Sequence, residues 1–148
     1  MKDLAHENDA MEWIGSTFRS LLSTEDCGGR QNLMEVISEP MSGPPRHIHE
    51  HEDETFYVLS GALEFWVAGE RMIKHAGEAA FVPRGTEHTF RVVSDQPARF
   101  LTLHTPGGFD AFIAEMVTNN YLIPQNMDEV AKAAGRYNTT FTGPPLTD

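Results

Sequence analysis

The chain has 148 residues, 40% of them hydrophobic, and a formal net charge of −11 at pH 7. This length and apolar content suit one domain with one sizeable core, and the negative charge argues against binding to nucleic acid or to an anionic membrane surface. No apolar run approaches the roughly 18 residues that span a bilayer, and the polar residues 1–9 do not resemble a signal peptide. We therefore expect a single domain over residues 1–148, in a soluble and cytoplasmic protein whose lone cysteine, Cys27, forms no internal disulfide.

Short β-strands separated by turn residues are predicted for much of the chain. Residues 11–22 are predicted as one or two strands. The six strands predicted after them are Leu33–Ile37, Thr55–Leu59, Leu63–Val67, Ala79–Val82, Thr89–Val93 and Arg99–Leu103. The turn at Ser60-Gly61 predicts a hairpin in which Leu63, Phe65 and Val67 share one face, because side chains alternate along a strand. Closely spaced short strands of this kind favour a sandwich or a barrel.

Two short helices are predicted near the end of the chain. Phe109–Val117 follows a Pro-Gly-Gly break and has apolar residues at helical spacing. The second helix is Asp128–Gly135, with Asn126 or Asp128 as its cap and Gly135 as its end. We expect both helices to pack on the outside of the strands.

Residues that commonly bind metals are concentrated between positions 44 and 54. His47 and His49 are two residues apart, so a strand would place both imidazoles on the same face. Glu54 follows five residues later, after a polar stretch that is able to turn and to return its carboxylate to the same site. His88 ends a turn-rich segment that begins at Gly77, and it supplies a third imidazole from a different hairpin.

These spacings resemble the two sequence motifs of the cupin family. The first motif is matched by His47, His49, Glu54 and Gly61, and the second by Gly77, Pro83, Gly85 and His88. There are two departures: Gly43 lies three residues before His47 instead of five, and Val92 stands where the family has asparagine. Neither position binds metal in the family pattern. The resemblance implies an all-β fold, a jelly-roll-like barrel (double-stranded β-helix) with the two short helices at its C-terminal end. The barrel would cover about residues 12–105, followed by a helical extension at about 107–136 and an extended tail at 137–148.

The expected site holds one divalent transition-metal ion through His47, His49, Glu54 and His88. The alternative is that these residues only pack inside the barrel. Three imidazoles and a carboxylate buried together without an ion would repel one another or lose solvation, which disfavours that alternative. A set of three nitrogens and one oxygen suits Fe, Mn, Ni, Co, Zn or Cu, and the choice among these metals stays open.

The other histidines carry weaker signals. His6, His51 and His75 are expected at the surface. His104 lies at the end of a predicted strand, where it either lines the pocket or faces solvent.

A narrower resemblance, to small cupins similar to quercetin dioxygenase, covers nearly the whole chain. It rests on PPRHIHEHEDETFYVLSG at 44–61, on a PGGF turn at 106–109 and on GPP at 143–145. The resemblance implies metal-assisted dioxygenation of an aromatic or enolisable small molecule, with Glu54 as both ligand and catalytic base. A non-catalytic or isomerase-like cupin that binds a small molecule is the alternative, and a storage or structural barrel is a third interpretation, since cupins host many functions.

The substrate pocket is expected to be largely apolar, because alternation sends about half of the strand aromatics inward. The candidates are Phe56, Tyr57, Phe65, Trp66, Phe81, Phe90 and Phe100. We also expect a homodimer, in which the apolar segment Met11–Leu22 contributes strands or side chains across a two-fold interface. The alternative is that this segment only closes its own barrel.

Overall fold

The computed structural model describes residues 10–148, and most of its regular elements are antiparallel β-strands. The strands are β1 Met11–Trp13, β2 Ser16–Leu22, β3 Asn32–Ser38, β4 Pro45–His49, β5 Asp53–Ser60, β6 Ala62–Val67, β7 Glu70–His75, β8 Ala79–Val82, β9 His88–Val92, β10 Ala98–Thr105 and β11 Thr139–Pro145. Two helices, α1 Phe109–Thr118 and α2 Met127–Arg136, separate β10 from β11.

The strands form two sheets that pack face to face. The first sheet has the order β1-β2-β3-β10-β5-β8, and the second has the order β11-β4-β9-β6-β7. Aromatic rings from both sheets meet between them: Phe56 of β5 lies 4.9 Å from Phe65 of β6, and Phe100 of β10 lies 5.4 Å from Phe90 of β9. The expected all-β, jelly-roll-like architecture is confirmed, although the two sheets stay separate instead of closing into one continuous barrel.

Alternation along the strands decides which side chains reach the space between the sheets. In β6, Leu63 and Phe65 are fully buried and Val67 is partly buried, as predicted for one face of the hairpin. In β4 the buried positions are Pro45, His47 and His49, so both histidines point inward. Because every second residue of a strand faces the interior, an ionisable residue at an inward-facing position is buried as well.

The helices match the predicted segments within one or two residues at each end. Both pack against strands, α1 against β1 and β3 and α2 against β11. The prediction that Gly135 ends the second helix is wrong, because Gly135 lies inside α2 and the helix continues to Arg136. Asn138, with φ of 59°, adopts the left-handed conformation that a glycine often supplies after a helix. Asn126 occupies the N-cap position, but its side chain accepts a hydrogen bond from the Leu122 N–H instead of capping α2.

The two ends of the described chain extend the sheets at their edges. The β1–β2 hairpin pairs with β3 of its own sheet, and its residues Trp13 and Phe18 are buried there. The extended tail forms β11, which pairs along β4 from Thr139 opposite His49. Within residues 10–148, neither helix is long and apolar enough to cross a membrane.

Candidate metal centre

The four residues selected from the sequence come together between the sheets. His47 and His49 lie on β4, and His88 begins the neighbouring strand β9, directly opposite His47. Glu54 reaches the same point from β5 of the other sheet. One donor atom from each of the four side chains lies within 4.8 Å of every other, and all four residues are buried. This group could hold a metal ion.

Two glycines explain why the chain turns as it does around this group. Gly61 has φ of 81° in the turn between β5 and β6, and a Cβ there would lie 2.8 Å from the Ala98 Cα. A Cβ on Gly43 would lie 1.9 Å from the carbonyl oxygen of Phe90, so only glycine fits at this close approach. The displaced glycine of the first motif is therefore a packing requirement. Val92, the second departure, is fully buried in the core.

The outer nitrogens of the three imidazoles are each held by a hydrogen bond. The Nδ1 atoms of His47 and His88 lie 2.7 Å and 2.9 Å from the carbonyl oxygens of Pro45 and Thr86. Because a carbonyl oxygen can only accept, each of these Nδ1 atoms carries the hydrogen and leaves Nε2 free to bind an ion.

His49 has a different partner, the hydroxyl of Thr139. Its Nδ1 lies 3.1 Å from the Thr139 Oγ1, and that hydroxyl in turn donates to the carbonyl oxygen of Tyr137. The hydroxyl therefore accepts the His49 Nδ1–H, and the His49 Nε2 also faces the centre without its hydrogen.

Burial and neighbouring charges set the protonation states. Burial, followed by the neighbouring imidazoles, holds the pKa of His47 well below its usual range, and burial likewise lowers the pKa of His49. Burial would raise the pKa of Glu54, but the imidazoles of His104, His49 and His88 together hold it well below its usual range. These shifts favour neutral imidazoles at His47 and His49 and an ionised carboxylate at Glu54, which are the states that a metal ion requires of such ligands.

The residues fit a divalent transition-metal ion. The His49 Nε2 is buried, lies 3.4 Å from the Glu54 Oε1, and has no hydrogen-bond partner among the described residues. A buried nitrogen lone pair beside a carboxylate oxygen is unfavourable unless a cation lies between them. A set of three imidazoles and one carboxylate matches the preferences of several first-row transition metals.

Comparisons with known proteins identify the family of this chain. A family model described as a cupin domain matches residues 34–104. The solved structure of the polyketide cyclase RemF from Streptomyces resistomycificus is similar with a TM-score of 0.58 and 32% sequence identity, covering 71% of this chain and 80% of that chain. The chain belongs to the cupin superfamily.

Two curated relatives match shorter stretches of the chain. The cupin is 33% identical over 66 residues to quercetin 2,3-dioxygenase from Bacillus subtilis, which covers 45% of this chain and 19% of the relative. It is 31% identical over 88 residues to the polyketide synthase CurC from Streptomyces cyaneus, covering 59% of this chain and 57% of the relative. The chain thus spans about a fifth of one curated relative and just over half of the other.

An apolar cavity opens beside the four grouped residues, and three of them, His47, His49 and Glu54, form part of its wall. Three of the predicted strand aromatics, Phe56, Phe90 and Phe100, line it. Other predicted candidates lie elsewhere: Phe65 is in the core, while Tyr57 and Phe81 are 42% and 59% exposed. The aromatic residues of the lining that were not among the predicted pocket candidates are Trp13, Phe18, Phe109, Phe112 and Phe141.

The remaining histidines differ in their exposure to solvent. His51 and His75 are exposed, as expected, and His6 lies outside the described residues. His104 is fully buried and faces the site, with its Nε2 at 3.1 Å from the Glu54 Oε2. Sequence reasoning missed the contact of Thr139 with His49, because the two residues are 90 positions apart and meet only through the pairing of β11 with β4.

Proposed function

We propose that this cupin binds one divalent transition-metal ion through His47, His49, Glu54 and His88, and that it is a dioxygenase for an aromatic or enolisable small molecule. The observation that carries the proposal is the group of four buried candidate ligands, three of which line an apolar, aromatic-rich cavity. A bound ion of this kind would polarise a substrate hydroxyl and would supply one-electron chemistry for a reaction with oxygen.

The chain's own groups have separate roles in the proposed reaction. The faces of Phe56, Phe90 and Phe100 would hold a flat substrate and keep water away from it. Glu54 is ionised, so it is in the correct state to accept the proton of a substrate hydroxyl at Oε1. Its low pKa makes it a weak base, so it would take this proton from an acidic enol and not from an ordinary alcohol.

A second candidate is a non-oxidative reaction, such as an isomerisation or cyclisation, or binding alone. The similarity to the polyketide cyclase RemF extends over 71% of this chain, against 45% for quercetin 2,3-dioxygenase. Polyketide chains are enolisable, so the same ligands and the same carboxylate would serve this substrate class without oxygen.

Oxygen consumption distinguishes the candidates. Metal-free protein would be reconstituted in turn with Fe(II), Mn(II), Ni(II), Co(II), Zn(II) or Cu(II), and supplied with quercetin and other enolisable aromatics. We expect oxygen uptake with at least one redox-active metal, and incorporation of both atoms of ¹⁸O₂ into the products, measured by mass spectrometry. Substrate loss without oxygen uptake would favour the second candidate, and absence of any turnover with every metal would contradict the dioxygenase.

The cytoplasmic location, the single-domain organisation, the homodimer and the apolar or aromatic nature of the small-molecule partner stay predictions from the sequence. The cavity lining supports an apolar or aromatic partner, because most of its residues are aromatic or aliphatic.

A further inference from the structure

Glu54 has a contact on each of its two carboxylate oxygens. The Oε1 atom faces the metal-binding imidazoles, at 3.1 Å from the His88 Nε2 and 3.4 Å from the His49 Nε2. The Oε2 atom lies 3.1 Å from the Nε2 of His104, a residue that is not one of the four grouped ligands. The pairing of β10 with β5 causes this contact, since it places His104 directly opposite Glu54.

The ring of His104 is held rigidly. It is fully buried and stacks on Phe109, with ring centroids 4.5 Å apart and an angle of 19° between the planes. Phe109 begins α1, and the next residue, Asp110, accepts hydrogen bonds from both the backbone N–H and the hydroxyl of Thr24. The start of α1 therefore fixes the plane of the imidazole, and the strand fixes its position.

Only one orientation of the hydrogen on His104 suits these surroundings. A carboxylate oxygen is an acceptor, so a bare Nε2 facing it would place two lone pairs against each other. Neither ring nitrogen of His104 has a well-aligned hydrogen-bond partner within residues 10–148, but among the carboxylates there only that of Glu54 is in ion-pair contact with the ring, at 3.1 Å from Nε2.

We propose that His104 is a positioning residue that donates its Nε2–H to the Glu54 Oε2 and thereby presents only Oε1 to the metal ion. With Oε2 held, Glu54 acts as a single-oxygen ligand, and the position that a second carboxylate oxygen would fill stays available to substrate. The inference rests on the metal-binding part of the proposed function and not on the reaction.

The first test compares three variants for metal affinity. His104→Phe keeps a ring on Phe109 but removes the donor, His104→Gln restores a side-chain N–H, and His75→Phe alters an exposed histidine as the control. Dissociation constants for Co(II) and Zn(II) would be measured by competition with a coloured chelator. The His104→Phe variant should bind about 10- to 100-fold more weakly, as is typical when the partner of a metal ligand is removed.

The visible absorption bands of bound Co(II) give a readout that a loss of stability alone would not change. They should shift in His104→Phe, return toward the wild-type positions in His104→Gln, and stay unchanged in His75→Phe. A folded His104→Phe protein with wild-type affinity and unshifted bands would overturn the proposal.

A second measurement needs no variant. In ¹⁵N-histidine-labelled, Zn(II)-loaded wild-type protein, two-bond ¹H–¹⁵N correlations report which ring nitrogen carries hydrogen or metal. We expect the Nε2 of His104 to carry hydrogen, whereas a zinc-bound or unprotonated Nε2 would overturn the proposal. Protein that binds neither metal would overturn the metal site as well, while metal binding without oxygen uptake would count only against the dioxygenase.

Discussion

At the scale of single residues, His88 is the proposed ligand that comes from β9 and lies opposite His47. Replacing either imidazole with alanine leaves three ligands, which lowers both the affinity and the geometric fit for an ion. We expect His88→Ala and His47→Ala to contain little metal after dialysis, measured by plasma emission spectroscopy. His51→Ala is the matched control, because His51 is exposed in the loop after β4. Equal metal content in all three variants would contradict the assigned ligands.

A substitution of Glu54 distinguishes its two proposed roles, metal ligand and catalytic base. The Glu54→Gln side chain keeps its size and one oxygen, but it cannot accept a proton as a carboxylate does. If Glu54 is also the base, turnover should fall by about 10²-fold or more in protein that still carries metal. Turnover and metal content would be measured on the same samples. An unchanged rate in the metal-loaded variant would leave Glu54 as a ligand only.

At the scale of elements, β11 links the last part of the described chain to the metal centre. Thr139 on this strand accepts the Nδ1–H of His49, while the next residue, Thr140, is exposed. Thr139→Val keeps the shape and removes the acceptor, so metal affinity should fall by about 10-fold. Thr140→Val is the control on the same strand. Equal affinities from isothermal titration would show that Thr139 does not orient His49.

At the scale of the whole molecule, the predicted homodimer would involve the β1–β2 hairpin. Its residues Trp13 and Phe18 are buried within the chain, but Leu21 and Leu22 are 37% and 40% exposed. If the hairpin contributes to the predicted homodimer, Leu22→Asp should weaken it, because a charge would be buried at the interface. Ile73→Asp, at a residue that is 50% exposed on β7, is the control.

Light scattering at micromolar concentration measures the oligomeric state of the wild-type protein and of both variants. A monomeric wild-type protein would contradict the dimer itself. A Leu22→Asp protein that remains fully dimeric would keep the dimer and would argue against a part for this segment in it.

The buried titratable groups also make stability depend on pH. In the folded, metal-free protein the pKa values of His47 and His49 lie below the ordinary 6.5, so the unfolded chain binds more protons in this range. The free energy of unfolding should therefore fall as the pH drops below about 6.5, by up to about 1.4 kcal/mol per pH unit for each proton taken up. Glu54, whose pKa is also lowered, adds a loss in the same direction below its ordinary 4.5.

Urea unfolding of metal-free protein between pH 7.5 and 4 checks this prediction. The His51→Ala protein should keep the slope, and His47→Leu should reduce it. Stability that does not fall on acidification would contradict the assigned protonation states.

The sequence by itself determined the local features of this cupin. Alternation and turn residues indicated the hairpin at Gly61. Helical spacing indicated α1, and candidate cap and end residues indicated α2. The spacing of His47, His49, Glu54 and His88 indicated the ligand set, which the structure brings together. These features could be predicted because neighbouring residues determine side-chain direction along a strand or a helix.

Only the tertiary structure decided which distant residues meet. The contacts of His104 with Glu54 and of Thr139 with His49 depend on how β10 and β11 pair with strands far away in the chain. The stacking of Phe109 on His104 depends on where α1 packs. Register between distant strands is set by the packing of the whole core, because a shift of one residue would turn the inward side chains outward. No short stretch of sequence contains that information.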